Sequence, residues 1–112
     1  MKILVTGAAG RLGFAAAGAL AAAGHDVLST DRRFRAGVPG RFRRLDLLDE
    51  FAVHAALEGC EAVVHFGNLP NVGAAPTPWI VYRDNILING HVFQAAADHG
   101  VAQVLFASSI QV

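Results

Sequence analysis

Three glycines, at positions 7, 10 and 13 of Thr6-Gly7-Ala8-Ala9-Gly10-Arg11-Leu12-Gly13, directly follow the apolar run Ile3-Leu4-Val5 and open an alanine-rich stretch. Between a strand and a helix, such residues can lay a nucleotide pyrophosphate on the helix N-terminus. Gly7 would allow the tight turn, Gly10 would let the backbone approach phosphate with no Cβ in the way, and Gly13 would let the helix pack close to the strand. The spacing is G-x-x-G-x-x-G rather than the commoner G-x-G-x-x-G. Glycines also mark ordinary turns, and it is the position after an N-terminal strand that favours the nucleotide reading.

Asp31 lies 18 residues beyond Gly13. An acidic residue about 20 residues past the glycines is placed to accept hydrogen bonds from both hydroxyls of an adenosine ribose. The alternative is a turn residue at a strand end. A carboxylate there would repel a 2′-phosphate, which favours NAD over NADP. Arg32 and Arg33 follow at once, and an arginine beside the ribose can accommodate that phosphate, so NADP is weakened rather than excluded. Further along, Asp46-Leu47 could set a carboxylate near the adenine amine and an apolar side chain on the adenine face. Equally, Asp46 or Asp49 could cap the following helix. Asn85 falls within an apolar helical arc, where an unsatisfied amide costs about 1–3 kcal/mol. It either bridges to nearby backbone or reaches the site. His65 ends a strand and could line the site, although such a histidine more often packs structurally. Ser108 and Ser109 leave the carboxyl end of a strand read as buried, where ligands of parallel sheets bind. The histidines at 25, 54, 65, 91 and 99 lack metal-ligand spacing, so no metal site is expected.

The elements that must position these residues alternate between short β-branched runs and longer Ala/Leu runs. Strands are predicted over Lys2 to Val5, Asp26 to Thr30, Phe42 to Leu45, Glu61 to Phe66 and Gln103 to Ala107. Helices are predicted over Arg11 to Ala23, Leu48 to Leu57 and Pro78 to His99, with Gly24 and Gly100 just past the ends of the first and last. On the long helix Val81, Ile88, Val92 and Ala96 form an apolar side, which Tyr82, Ile86, Phe93 and Ala97 widen. Arg83, His91, Gln94 and Asp98 make the polar side. Strand–helix alternation implies an α/β fold with a parallel sheet and right-handed crossovers. The loop from Gly67 to Thr77 is long enough to be functional.

The chain has 112 residues, 54% of them hydrophobic and 16% charged, which fits one small domain with a buried core. Its formal net charge is zero, against a nucleic-acid partner drawn by bulk charge. The six arginines between Arg32 and Arg44 are followed by Asp46, Asp49 and Glu50 and read as a solvated loop face. No run approaches the roughly 20 apolar residues needed to span a bilayer. With one cysteine, Cys60, there is no disulfide framework, and with no recognisable signal peptide a cytoplasmic location is expected.

Taken in order, the motifs resemble the extended short-chain dehydrogenase/reductase family, the NAD-dependent epimerase/dehydratase group. They are TGAAGRLG at 6–13, Gly24-His25-Asp26-Val27 before Asp31, Asp46-Leu47, Val63-Val64-His65-Phe66-Gly67, Asp84-Asn85-Ile86 through Gly90, Ala95-Ala96 leading on to Gly100-Val101, and Phe106-Ala107-Ser108-Ser109. Each is weak alone, and the ordered set covers essentially the whole chain. The His65-Phe66-Gly67 and Phe106-Ala107-Ser108-Ser109 versions are similar to uronate dehydrogenases.

The resemblance implies a Rossmann-type three-layer fold, about five strands in the order 3-2-1-4-5, ending after the fifth. Residues 1–112 would be an incomplete NAD(P)-binding domain. Arg11 and Leu12 would offer backbone N–H groups to the pyrophosphate, Asp31 would take the ribose, and Asp46 with Leu47 the adenine. Phe66, Gly67, Asn68 and Leu69 would line the nicotinamide-side ribose, and Asn85 would help hold the cofactor. Ser109 would be the serine of the family's Ser-Tyr-Lys set, stabilising developing charge. The Tyr-x-x-x-Lys partner is absent, since the only tyrosine is Tyr82 and the only lysine is Lys2. The expectation is therefore the cofactor-binding part of an oxidoreductase, epimerase or dehydratase acting on a sugar, sugar acid or nucleotide sugar. By itself it would not be catalytically competent. The rival expectation is a non-catalytic nucleotide-binding or interaction module. A homodimer is expected from the family's use of the long helix and from the fifth strand as a sheet edge.

Overall fold

A computed structural model describes residues 1–68 and 78–107. The elements run β1 (Lys2–Thr6), α1 (Arg11–Ala22), β2 (Asp26–Asp31), β3 (Arg41–Arg44), α2 (Glu50–Leu57), β4 (Ala62–His65), α3 (Pro78–Asp98) and β5 (Gln103–Phe106). The five strands form one parallel sheet in the order β3-β2-β1-β4-β5, as expected. The chain walks outward from β1 to β3, then returns to lay β4 on the other side of β1. That reversal leaves a crevice at the carboxyl ends of the strands, where open α/β sheets bind ligands.

Alternate strand residues feed two cores. Leu4, Leu28 and Val63 face α2 and α3, meeting Val53, Leu57, Ile88 and Val92. Ile3, Val5, Val27 and Val64 face α1, whose Ala17 is fully buried and whose small side chains let it lie close to the sheet. Cutting Leu4 back to alanine would cost about 2–5 kcal/mol, because a fully buried strand centre cannot collapse around the hole. Helix α1 closes with a two-bond cap: Gly24, at φ +92°, donates its N–H to the Ala21 carbonyl and His25 donates to Leu20. Helix α3 ends the same way, with Gly100 donating to Ala97 and Val101 to Ala96.

Most boundaries fall within a residue of expectation, but α2 starts at Glu50 rather than Leu48. Asp46 Oδ1 accepts the Leu48 N–H in a turn, and Asp49 Oδ1 then caps the helix by accepting from Ala52. One expectation of burial needs correction. Strand β5, read as buried, is exposed along its whole length, because it is an edge strand. An apolar groove of about 350 Å³ beside it is lined by Leu20, Val64, Leu105 and Phe106. The wide apolar arc of α3 is split: Val81, Ile88, Val92 and Ala96 are buried, whereas Tyr82, Ile86, Phe93 and Ala97 are exposed. Among the described residues no helix is long and apolar enough to cross a membrane.

Candidate functional site

A cleft of about 440 Å³ opens where β1, β2 and β4 end. Its floor begins with the turn after β1. Gly7 sits at φ +67°, and a Cβ there would stand 2.9 Å from the Phe66 carbonyl carbon. Its carbonyl accepts the Gly10 N–H at 3.0 Å, closing the turn. A Cβ on Gly13 would lie 2.1 Å from the Gly7 oxygen, so Gly13 makes room for the turn itself rather than for the strand. Gly10 differs, since the nearest atom to a Cβ there is the Gly7 oxygen at 3.3 Å. Among the described residues no side chain caps α1, and its first turn holds no acidic residue. The Arg11 and Leu12 N–H groups therefore have no described partner within the protein, and an uncapped N-terminus of this kind attracts an anion.

Asp31, at the end of β2, stitches two loops together. Its Oδ2 accepts the Ala9 N–H at 3.0 Å and its Oδ1 accepts the Arg33 N–H at 3.1 Å. A carboxylate offers about four acceptor positions, so half remain for a ligand hydroxyl. The arginine-rich stretch is less purely a solvated face than expected. Arg32, Arg33 and Arg35 line the cleft, Arg44 donates to the Arg32 carbonyl, Arg35 lies over the Phe14 ring at 3.7 Å, and Arg41 pairs with Asp26.

On the opposite wall, Phe66 and Gly67 follow β4. Both donate their N–H groups to Thr6 Oγ1 at 3.0 Å, and a Cβ on Gly67 would meet Leu47 Cδ1 at 2.5 Å. Thr6 Oγ1 also lies 2.6 Å from His65 Nδ1, while His65 Nε2 lies 2.8 Å from Asn89 Oδ1. The His65 ring is fully buried, stacked on Phe106 and edge-on to Phe93. Burial holds its pKa below the usual value of 6.5, partly offset by the Asn89 bond. His91 Nδ1 donates to the Leu47 carbonyl at 2.8 Å and so ties α3 to the apolar wall. Cys60, a free buried thiol pushed up in pKa by burial, takes no part in the cleft.

Of the residues singled out from sequence, the cleft gathers Gly7, Gly10, Asp31, Arg32, Asp46, Leu47, Phe66, Gly67 and Asn68. Arg11, Leu12 and Gly13, at the start of α1, are not among the residues that line the cleft, and the Leu12 side chain is in solvent. Asn85 is half-buried on α3, three residues before the cleft-lining Ile88. Leu69 and Ser109 lie outside the described residues. Asp46 lines the cleft and makes the turn before α2, and the helix cap itself is Asp49. The sequence reading missed Thr6, Asn89 and the Leu47 contact of His91. No short spacing links Thr6 to His65, and only fold topology brings them together. Among the described residues no cluster could hold a metal ion.

The sequence model of the NAD dependent epimerase/dehydratase family matches residues 3–112. The chain belongs to this family. It is similar to a uronate dehydrogenase of Pseudomonas putida, 34% identical over 96% of this chain and 40% of the relative. It is also similar to an L-arabinose 1-dehydrogenase (NAD(P)(+)) of Haloferax volcanii, 39% identical over 96% of this chain and 41% of the relative. Among solved structures, a short-chain dehydrogenase/reductase superfamily protein from Agrobacterium tumefaciens with bound NAD superposes with a TM-score of 0.84. It is 34% identical, over 97% of this chain and 33% of that one. The chain thus spans about 40% of the length of the curated relatives it matches. This epimerase/dehydratase-family chain carries its one lysine and one tyrosine away from the cleft. Lys2 bonds the Glu58 carbonyl at the amino end of β1, and Tyr82 leans on Trp79 at the surface.

Proposed function

We propose that residues 1–112 form the dinucleotide-binding portion of an NAD-dependent oxidoreductase, epimerase or dehydratase acting on a sugar, sugar acid or nucleotide sugar. The observation that carries this reading is the pairing, in one cleft, of the uncapped α1 N-terminus with the Asp31 carboxylate. The residues fit the cofactor. Gly10 leaves the mouth open, Arg11 and Leu12 offer N–H groups to the pyrophosphate, and Gly7 and Gly13 shape the turn. Asp31 receives the adenosine ribose. Asp46 and Leu47 meet the adenine, and Phe66, Gly67, Asn68, Leu69 and Asn85 serve the nicotinamide side. When bound, the nicotinamide supplies hydride transfer. Ser109 would orient the reacting oxygen of the substrate, with the remaining acid–base chemistry supplied from elsewhere.

Calorimetric titration tests the cofactor assignment. NAD should bind more tightly than NADP because Asp31 faces a 2′-phosphate, with Arg32 and Arg33 softening the difference. Asp31→Ala should cut NAD affinity at least tenfold, about 1.4 kcal/mol, and an unchanged affinity would remove Asp31 from the site. We further assign the exposed stripe of Trp79, Tyr82, Ile86 and Phe93 to a homodimer contact, since the i, i+3, i+7, i+14 spacing puts them on one face of α3. Light scattering should show a dimer that Ile86→Glu dissociates, and a strictly monomeric wild type would refute this. A cytoplasmic setting accords with the unpaired Cys60.

A further inference from the structure

The hydrogen-bond inventory around Thr6 leaves one arrangement. A threonine hydroxyl has two acceptor lone pairs and one proton. Both lone pairs are engaged by the Phe66 and Gly67 N–H groups, so the proton is donated to His65 Nδ1. His65 Nδ1 is therefore unprotonated, the ring is neutral, and Nε2–H donates to Asn89 Oδ1. We propose that His65 is a pH-sensitive positioning residue of the cleft: its neutral Nε2–H form holds the Phe66–Gly67 turn through Thr6, and protonation at Nδ1 releases that turn.

The release follows from counting. With Nδ1–H present, Thr6 Oγ1 would face three N–H donors with two lone pairs, so one of the turn's hydrogen bonds is lost. Phe66 has a fallback in the Thr6 carbonyl at 3.3 Å, whereas Gly67 has no second described acceptor. Gly67 packs on Leu47 and Phe66 on Gly7, so movement there reaches both the apolar wall and the glycine turn. Among the described residues, the groups that contact the ring are uncharged: Thr6 from β1, Asn89 and Phe93 from α3, and Phe106 from β5. His91 is not a second such switch. Its Nδ1–H donates to a carbonyl, a bond that the charged ring keeps. The consequence for cofactor affinity rests on the reading of the cleft given above, but the hydrogen-bond argument does not.

The test is NMR on the isotopically labelled chain, with no ligand. At pH 8 long-range nitrogen correlations should show His65 protonated at Nε2 only. On acidification below pH 6.5, the Phe66 and Gly67 amide resonances should move with the same midpoint as the His65 ring. Asn89→Asp places a carboxylate on Nε2–H and should raise that midpoint by about one pH unit or more, by charge stabilisation of the imidazolium. Thr6→Ser should preserve the coupling, and Thr6→Val should abolish it. An Nδ1–H tautomer at pH 8, amides that do not follow the ring, an unmoved midpoint in Asn89→Asp, or global unfolding with both amides unshifted beforehand would each overturn the proposal. NAD calorimetry on the same samples separates the two readings. Affinity falling in step with the ring supports both, and affinity constant through the ring's titration overturns the coupling to the cleft. No NAD binding at any pH removes the cofactor reading alone, while the amide titration still decides this one.

Discussion

The glycine turn after β1 and the Phe66–Gly67 turn after β4 touch each other at the cleft floor, yet they are held by different physics. The first is fixed by exclusion. Gly13 gives its space to the Gly7 carbonyl, and Gly7 gives its own to Phe66. The second is fixed by attraction, through one hydroxyl that accepts two backbone N–H groups and donates to a histidine. Exclusion acts in any solution condition and fails only when an atom is added. Attraction depends on where a proton sits, so the wall it supports is conditional. A site built from both has one rigid side and one that solution conditions can loosen.

The steric side should break most heavily. Gly13→Ala puts a methyl 2.1 Å from the Gly7 oxygen and 2.6 Å from its carbonyl carbon, and neither atom is free to swing away. Urea unfolding should show a loss of about 3 kcal/mol, at the upper end for overpacking. An unchanged unfolding midpoint would mean the turn is not held by exclusion.

Thr6→Val attacks the other side with almost no change of shape. It strands the Gly67 N–H and the His65 Nδ1, while Phe66 retains the Thr6 carbonyl at 3.3 Å. A buried group left unpaired costs about 1–3 kcal/mol, so a loss of about 2 kcal/mol is expected, most of it recovered in Thr6→Ser. If serine is no better than valine, packing rather than hydrogen bonding holds this wall.

The conditional character of the second turn predicts a pH dependence of stability. His65 takes its proton near pH 6.5 in the unfolded chain but only at lower pH when folded, because burial disfavours the charged ring. Between those values the unfolded state binds more protons, so stability rises with pH. It is complete above 6.5 and falls as the pH drops toward the depressed folded value, by up to about 1.4 kcal/mol per pH unit. Urea unfolding at pH 7.5 and 5.5 should give a difference that shrinks in His65→Gln. A larger difference in that variant would contradict the neutral buried ring.

The two turns also differ in how far the sequence discloses them. Glycines at 7, 10 and 13 act within one strand-to-helix junction, so their spacing survives in the linear chain, as does Asp31 at the end of the next strand. The hydrogen-bonded turn depends on Thr6 meeting His65 across 59 residues and on Asn89 reaching back 24. Neither separation has a period that pattern reading can detect. The alternation of strands and helices implied the parallel sheet, because parallel crossovers have few solutions, while the strand order was implied by the family resemblance. The edge position of β5 was legible, but the extent to which β5 and half of α3 stay exposed was not. Val104, Leu105, Phe106, Tyr82 and Ile86 are apolar whether or not another surface covers them.

The smallest change in stability should come from the middle glycine of the turn, Gly10. Gly10 has an extended backbone at φ −79° and ψ 171°, open to any residue, and an added Cβ would meet only the Gly7 oxygen, at 3.3 Å, a contact that a shift of a few tenths of an ångström relieves. Gly10→Ala should therefore cost only about 0.5–1 kcal/mol, the usual difference for alanine at a helix N-cap. Gly10 nevertheless lines the cleft at the uncapped end of α1, where the pyrophosphate is assigned. A methyl that the fold tolerates should still stand in the phosphate's path and weaken NAD binding by about tenfold, equivalent to 1.4 kcal/mol. Calorimetry on Gly10→Ala beside urea unfolding separates the two demands. If affinity and stability change together, Gly10 belongs with Gly13 as a packing glycine. If stability holds while affinity falls, the opening at Gly10 serves the ligand, and the middle glycine of the turn obeys neither exclusion nor attraction within the protein.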